Sequence, residues 1–197
     1  MIDLNSNEYD VKEVSIFNDG EPGAVENVKI SKIEKKTTDD STPDWKIFFK
    51  DANDKEINFG FYYVDINRNE WAPKKWKTQA TLLKHLVNAI IGEGTKLPKF
   101  ETTEEALDKI MGKLSKEFKP SATYRIFTNY GTTNKPSKYI SVRGFAPMIE
   151  SMSVPASESR LTKGGVDRMT RLEADSESEV GTSTAVAEAP ATDEKDW

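Results

Sequence analysis

Three short stretches alternate cations with aromatic rings. "WKIFFK" places Lys46, Phe48 and Lys50 on one side of an extended chain, and "TYRIFT" does the same with Arg125 and Phe127. "KYISVRG" adds Tyr139 and Arg143, and "EWAPKKWK" interleaves Trp71 and Trp76 with Lys74, Lys75 and Lys77. This combination suits single-stranded nucleic acid. An unpaired base exposes a π-face that stacks on an aromatic ring, worth about 1–3 kcal/mol per base. Lysine and arginine neutralise the phosphates and release condensed counterions. Each ring also has a plain structural assignment. Phe48 and Phe127 fit a core covered by helices or loops, and Trp71 and Trp76 fit a staple holding a loop to the sheet.

Catalytic patterns are sparse. The single histidine, His85, sits in a helical stretch and reads as an exposed helix residue. With no cysteine and no second histidine, no zinc site is expected, and neither a metal nor another cofactor is implied. No Gly-rich phosphate loop of either common spacing occurs. "LTKGGVD" reads as a plain turn. The adjacent acids Asp39-Asp40 and Glu104-Glu105 are accounted for by turn chemistry and by a helix N-terminus. The expectation is a protein that binds rather than catalyses.

The elements that must position these residues follow from periodicity. Residues 1–24 are polar and acidic, with one apolar patch at Val14, Ile16 and Phe17 and a turn at "NDGEPG", and read as an arm or an extra strand. Residues 25–150 form the domain. "VENVKISKIEKKTT", "WKIFFKDA" and "INFGFYYVD" have strand alternation and are separated by turn clusters, which predicts an antiparallel meander. Gly60, inside the third strand, predicts a bulge or bend. The period then changes to 3.6. "TQATLLKHLVNAIIGEG" carries a stripe of Leu82, Leu83, Leu86, Val87, Ile90 and Ile91, with Thr78 as N-cap and Gly92 as the stop. "TTEEALDKIMGKLSKEF" follows, with Thr102 and Glu105 at capping-box spacing. "ATYRIFTNY" and "KYISVRGFA" add two strands. Three strands, a two-helix insertion and two further strands form the order of a five-stranded OB-fold barrel, a mainly β fold of α+β type. A five-strand, two-helix sandwich has the same count.

Beyond residue 150 the periodicity ends. Residues 151–197 are rich in Ser, Thr, Ala and acids, with too few large apolar side chains to offset ordering entropy, and a disordered tail is expected. Charge is divided the same way. Residues 173–197 hold eight acids and one lysine, a net of −7, whereas residues 25–150 hold 22 bases and 17 acids, a net of +5. The N-terminus lacks the basic and apolar regions of a signal peptide, and no apolar run approaches the ~20 residues of a membrane span. These features, with the absence of cysteine, predict a cytoplasmic protein.

The strand order, the basic and aromatic face, and the acidic tail ending "TDEKDW" resemble the single-stranded DNA-binding proteins of bacteriophages. "FNDGEPGAVENVKISKIEKK" and "INFGFYYVD" have the look of the same group. The resemblance covers about residues 9–150 and the last few residues. It implies a protein that coats single-stranded DNA during replication, recombination and repair in the host cytoplasm. It also implies that Asp193, Glu194, Asp196 and Trp197 recruit replication or recombination proteins. The resemblance to the bacterial proteins is looser: their tails end on Phe after Pro, whereas this chain ends on Trp after Asp. A protein–protein interaction module of virion or regulatory type is the alternative.

Overall fold

The computed structural model describes residues 16–36 and 44–172. The first strand, β1 (Gly23–Lys35), is the centre of the sheet. On one side it pairs antiparallel with β2 (Trp45–Lys50), which pairs with β3 (Glu56–Phe61). On the other side it pairs with β4 (Thr123–Thr132), which pairs with β5 (Lys135–Val142) and with β6 (Ile149–Ser151). The result is an open antiparallel sheet of six strands, ordered β3-β2-β1-β4-β5 with β6 also on β4. The five-stranded, partly open OB-fold barrel expected from the strand order is here an open sheet with one strand more. The sixth strand gives no sequence signal because three residues are too few to show alternation.

Two helices lie between β3 and β4: α1 (Ala72–Ile90) and α2 (Thr103–Glu117). Their stripes, Leu82, Leu83, Leu86 and Val87 on α1 and Leu107, Ile110, Met111 and Leu114 on α2, pack on one face of the sheet. Val28 and Ile30 of β1, Ile47 and Phe49 of β2, and Ile126 of β4 supply the other half of this core. Phe17, in a short 3-10 turn at Phe17–Gly20, is also buried there, so the end of the expected arm belongs to the core. The α2 cap matches the capping-box spacing. Thr102 Oγ1 accepts from Glu105 N–H at 3.0 Å, although the Glu105 carboxylate accepts from Glu101 N–H, one residue before the cap.

α1 begins six residues earlier than Thr78. Pro73 lies in its first turn, where the missing N–H is harmless, and Asn69 Oδ1 accepts from the N–H groups of Trp71 and Ala72. Thr78 is therefore inside the helix and donates back to Lys74 C=O. Gly60 makes no bulge, because β2 and β3 pair without a shift through Lys46↔Gly60. The irregularities fall instead at Val25–Val28 and Ile30–Lys32 of β1 and at Asn129–Gly131 of β4.

Residues 151–172 differ most from the expectation of disorder. Beyond a 3-10 turn at Ala156–Glu158, the chain runs back along the β4–β5 hairpin. Tyr130 N–H donates to Arg168 C=O, Arg168 N–H to Gly131 C=O, Thr133 N–H to Val166 C=O and Leu172 N–H to Ser137 C=O. Leu161 and Asp167 are buried. The segment is held by backbone pairing and one buried ion pair rather than by apolar mass, so composition does not reveal it.

Candidate nucleic-acid interface

The sheet face away from the helices divides into two parts. On β2, Lys46, Phe48 and Lys50 point opposite to Trp45, Ile47 and Phe49, as strand alternation requires. Register places Lys32 of β1 and Asn58 of β3 on either side of Phe48, and Lys29 opposite Lys50. The Lys32 ammonium lies 4.3 Å from the centre of the Phe48 ring, which is only 9% exposed. Lys32 thus lies over the ring, and Lys29, Lys46 and Lys50 share its face of the sheet. Part of their charge is met locally: Glu34 lies 3.1 Å from both Lys32 and Lys36, and Asp54 lies 3.8 Å from Lys50. Hydrogen bonds from Lys32 and then Lys36 hold the Glu34 carboxyl below its ordinary range, against a smaller opposing effect of burial.

The second cluster lies past β3, at the start of α1. Gly60 pairs with Lys46, so Tyr62 stands two residues beyond the β2 lysines. Its ring is 39% exposed, with the Lys75 ammonium 5.6 Å from its centre. Trp71 is 66% exposed, and Lys74, Lys75 and Lys77 are exposed around it. Trp76 turns the other way and packs, half-buried, against the core. Gln79 fixes the whole arrangement. Its Oε1 accepts from Tyr62 N–H at 3.1 Å and its Nε2 donates to Tyr62 C=O at 2.7 Å, tying α1 to the end of β3.

The β4–β5 part is closed, which corrects the sequence-based assignment of Arg125, Phe127 and Arg143 to the binding face. Arg125 is 3% exposed and lies between Glu26, at 2.8 Å, and Glu150, at 3.5 Å. Arg143 is 1% exposed. Its guanidinium lies 3.6 Å from the centre of the Phe127 ring and 4.8 Å from that of Phe145. It donates to both carboxylate oxygens of Asp167 and to the carbonyls of Pro147 and Thr162. Asp167 also accepts from Asn129 Nδ2 and Gly164 N–H, both at 2.7 Å. Phe127, at 2% exposure, is beneath this network. "LTKGGVD" is thus more than a turn, since it carries the carboxylate that neutralises Arg143. Tyr139 remains 67% exposed on β5, with Lys138 5.6 Å from its ring centre, but β5 pairs with neither β2 nor β3.

Tyr62, Lys29 and Lys32 join the candidate surface. Alternation already sets Lys29 opposite Val28 and Ile30, whereas only the register, with its shift between Ile30 and Lys32, identifies Lys32. A Tyr62–Lys75 contact needs the correct start of α1. Asp193, Glu194, Asp196 and Trp197 lie outside the described residues. Among the described residues no cluster of three or more His, Asp or Glu side chains is placed to hold a metal ion, and no helix is long and apolar enough to cross a membrane. His85 is half-buried rather than exposed. Burial, then the charges of Arg160 and Lys84, push its pKa down. It lines a groove of about 700 Å³ between α1 and residues 147–160, together with Glu93, Glu150 and Glu158. Comparison with protein-family models, curated proteins and solved structures finds no match to this chain.

Proposed function

We propose that this protein binds single-stranded DNA without cleaving it, and serves replication, recombination or repair, in the manner of the phage proteins it resembles. The observation that carries this reading is the pair of exposed rings, Tyr62 and Trp71, set among Lys74, Lys75 and Lys77. This cluster is continuous with the lysines around Phe48 through the β2–β3 pairing. The path offers rings for base faces and ammonium groups for phosphates on one rim. Duplex DNA conceals its base faces, so such a path favours single strands. Two features support an OB-like reading of the fold. β1 pairs with both β2 and β4, and β3 and β5 come into contact at the ends of the sheet without pairing. The acidic stretch at 173–197, ending in Trp197, is a partner ligand on this reading: an aromatic anchor with carboxylates for a basic pocket rim. The place of action would be the host cytoplasm.

Titration of intrinsic tryptophan fluorescence tests the reading. Oligo-dT should quench emission from exposed Trp71, with salt-sensitive affinity well above that for a duplex of equal length. Equal affinity for the duplex, or no binding of either, would overturn it. Emission that stays unquenched while a protein partner binds would favour the interaction-module alternative.

A further inference from the structure

The sheet's two ends, β3 and β5, touch without pairing, and a cleft of about 250 Å³ lies at this seam. Phe59 and Phe61 of β3 form one wall, their rings 5.1 Å apart and edge to face. Lys75, Thr78 and Gln79 of α1 form the other, and Gly144, just past β5, lies at its margin. Both amide atoms of Gln79 are committed to Tyr62, so the wall is braced. The volume is below the range of about 300–1,000 Å³ common for small-molecule pockets, and suits one planar ring rather than an extended cofactor. Its charge decides which ligand it suits. No carboxylate lines this cleft, whereas three line the larger groove beside His85. Lys75 is at its rim, with Lys74 and Lys77 on the same helix turn. Arg160 offsets part of the larger groove's acid charge, but the seam cleft has a lysine and no carboxylate, so an anionic strand favours the seam cleft.

We propose that the seam cleft takes one unstacked base of the bound strand. The base enters against Phe59, while Lys75 and its neighbours hold the flanking phosphates and Tyr62 and Trp71 stack the adjacent bases. This rests on the proposed single-strand binding and adds a specific pocket to it, one that accepts a base edge rather than only a face.

Gly144 allows a direct test. A Cβ added there meets no atom within 4 Å, and its φ lies outside the region that only glycine favours, so Gly144→Leu fills the margin without forcing the backbone. Thr78→Phe on the exposed helix face is the second filling variant. Oligo-dT affinity, scanned with a single abasic nucleotide at each position, is measured for wild type and both variants, alongside melting temperature. The wild type should lose about tenfold at one abasic position, the loss of one stacked base. The filled variants should bind intact oligo-dT about tenfold more weakly at unchanged melting temperature, and lose nothing further at that position. Filled variants that bind like wild type would overturn the cleft proposal while leaving single-strand binding in place. A wild type that binds no oligo-dT would overturn the parent reading instead. If one variant melts early, the other variant and the abasic scan decide.

Discussion

The two halves of the outer sheet face carry the same pattern and have opposite fates. On β2 the cations around the ring are lysines, and they remain at the surface. On β4 and just past β5 they are arginines, Arg125 and Arg143, and they are buried, paired with Glu26, Glu150 and Asp167. The cation type matches its setting. Guanidinium is planar, weakly hydrated and able to donate in a fork, so it tolerates burial between two rings and a carboxylate. Ammonium is compact and strongly hydrated, and its stem covers a ring while its charge stays in water. A period-two alternation of charge and aromatic thus marks an outward sheet face. Whether that face binds a ligand or the chain's own C-terminal segment depends on which cation it uses and on the carboxylates available to it.

The largest expected effect comes from breaking the closed half. Asp167→Ala leaves Arg143 buried without its counter-charge and removes acceptors for Asn129 and Gly164. A loss of about 3–5 kcal/mol in stability follows, as for other buried pairs deprived of one partner. Denaturant unfolding should register it, whereas the oligo-dT affinity of the folded fraction should not change. Tighter DNA binding at unchanged stability would instead make residues 161–172 a displaceable cover over a second binding surface. The open half should give the reverse result. Trp71→Ala and Tyr62→Ala should each weaken oligo-dT binding by about 1–3 kcal/mol and leave the melting temperature unchanged, since both rings are exposed. Phe48→Ala should lower both quantities, because its ring is largely covered. If Arg125→Ala or Phe127→Ala proves to weaken binding more than stability, the two halves have been assigned the wrong way round.

Much of this division is legible in the sequence, and the rest is lost for identifiable reasons. Strand alternation locates β1 to β5, and the 3.6 period locates both helices. Thr102 and Glu105 signal the start of α2 directly. The start of α1 does not follow from its apolar stripe, because the first turn is marked by Pro73 and Asn69 instead, and placing it at Thr78 separates Lys75 from Tyr62. Residues 151–172 look disordered because composition counts apolar mass, whereas this segment is held by backbone pairing to β4 and β5 and by one carboxylate. The Asp167 side chain binds Asn129 and Arg143, which are 38 and 24 positions away along the chain, and a pairing at that distance leaves no local signal in a sequence.

A smaller effect should distinguish how the two halves are anchored. Asp108 of α2 fastens the lysine-bearing half from the helix side. Its carboxylate accepts from Lys35 Nζ at 2.7 Å, Trp45 Nε1 at 2.7 Å and Tyr63 OH at 2.8 Å. Burial pushes its pKa up, but the hydrogen bonds from Lys35, Trp45 and Tyr63 together outweigh it and the net shift is downward. The folded state therefore holds the ionised form more strongly than the unfolded chain does, where an aspartate titrates near about 3.9. The resulting stability is present above about pH 4 and is lost as pH falls through the lower folded-state value. Asp108→Asn should lower neutral-pH stability by about 1–2 kcal/mol, since the site is a third exposed and solvent screens part of the interaction. It should also flatten the acid side of the stability curve. An unchanged acid limb would show that other carboxylates set it.

The smallest expected effect concerns the charge imbalance between the sheet and the C-terminal residues. Residues 173–197 carry −7 and residues 25–150 carry +5, so the two attract at low salt. Lys29, Lys32, Lys74, Lys75 and Lys77 are exposed on the open half, so on the proposed reading carboxylates would compete with phosphates there. Arg125 and Arg143 are already neutralised and contribute nothing to this competition. A chain ending at Leu172 keeps the Leu172–Ser137 hydrogen bond and the Asp167 pair, and so removes the acidic stretch without opening the closed half. It should bind oligo-dT about fivefold more tightly or less at low ionic strength, the scale of exposed ion pairs. The difference should vanish as the Debye length falls below about 10 Å. A chain ending at Asp196 loses no side-chain charge, so its DNA affinity should match that of the full chain, while recruitment of a replication partner through the Trp197 ring should weaken. Equal low-salt affinity for the full chain and the chain ending at Leu172 would remove the competition, and undiminished partner capture by the chain ending at Asp196 would make Trp197 incidental. If the chain ending at Leu172 also melted earlier, the residues past 172 would be part of the closed half as well.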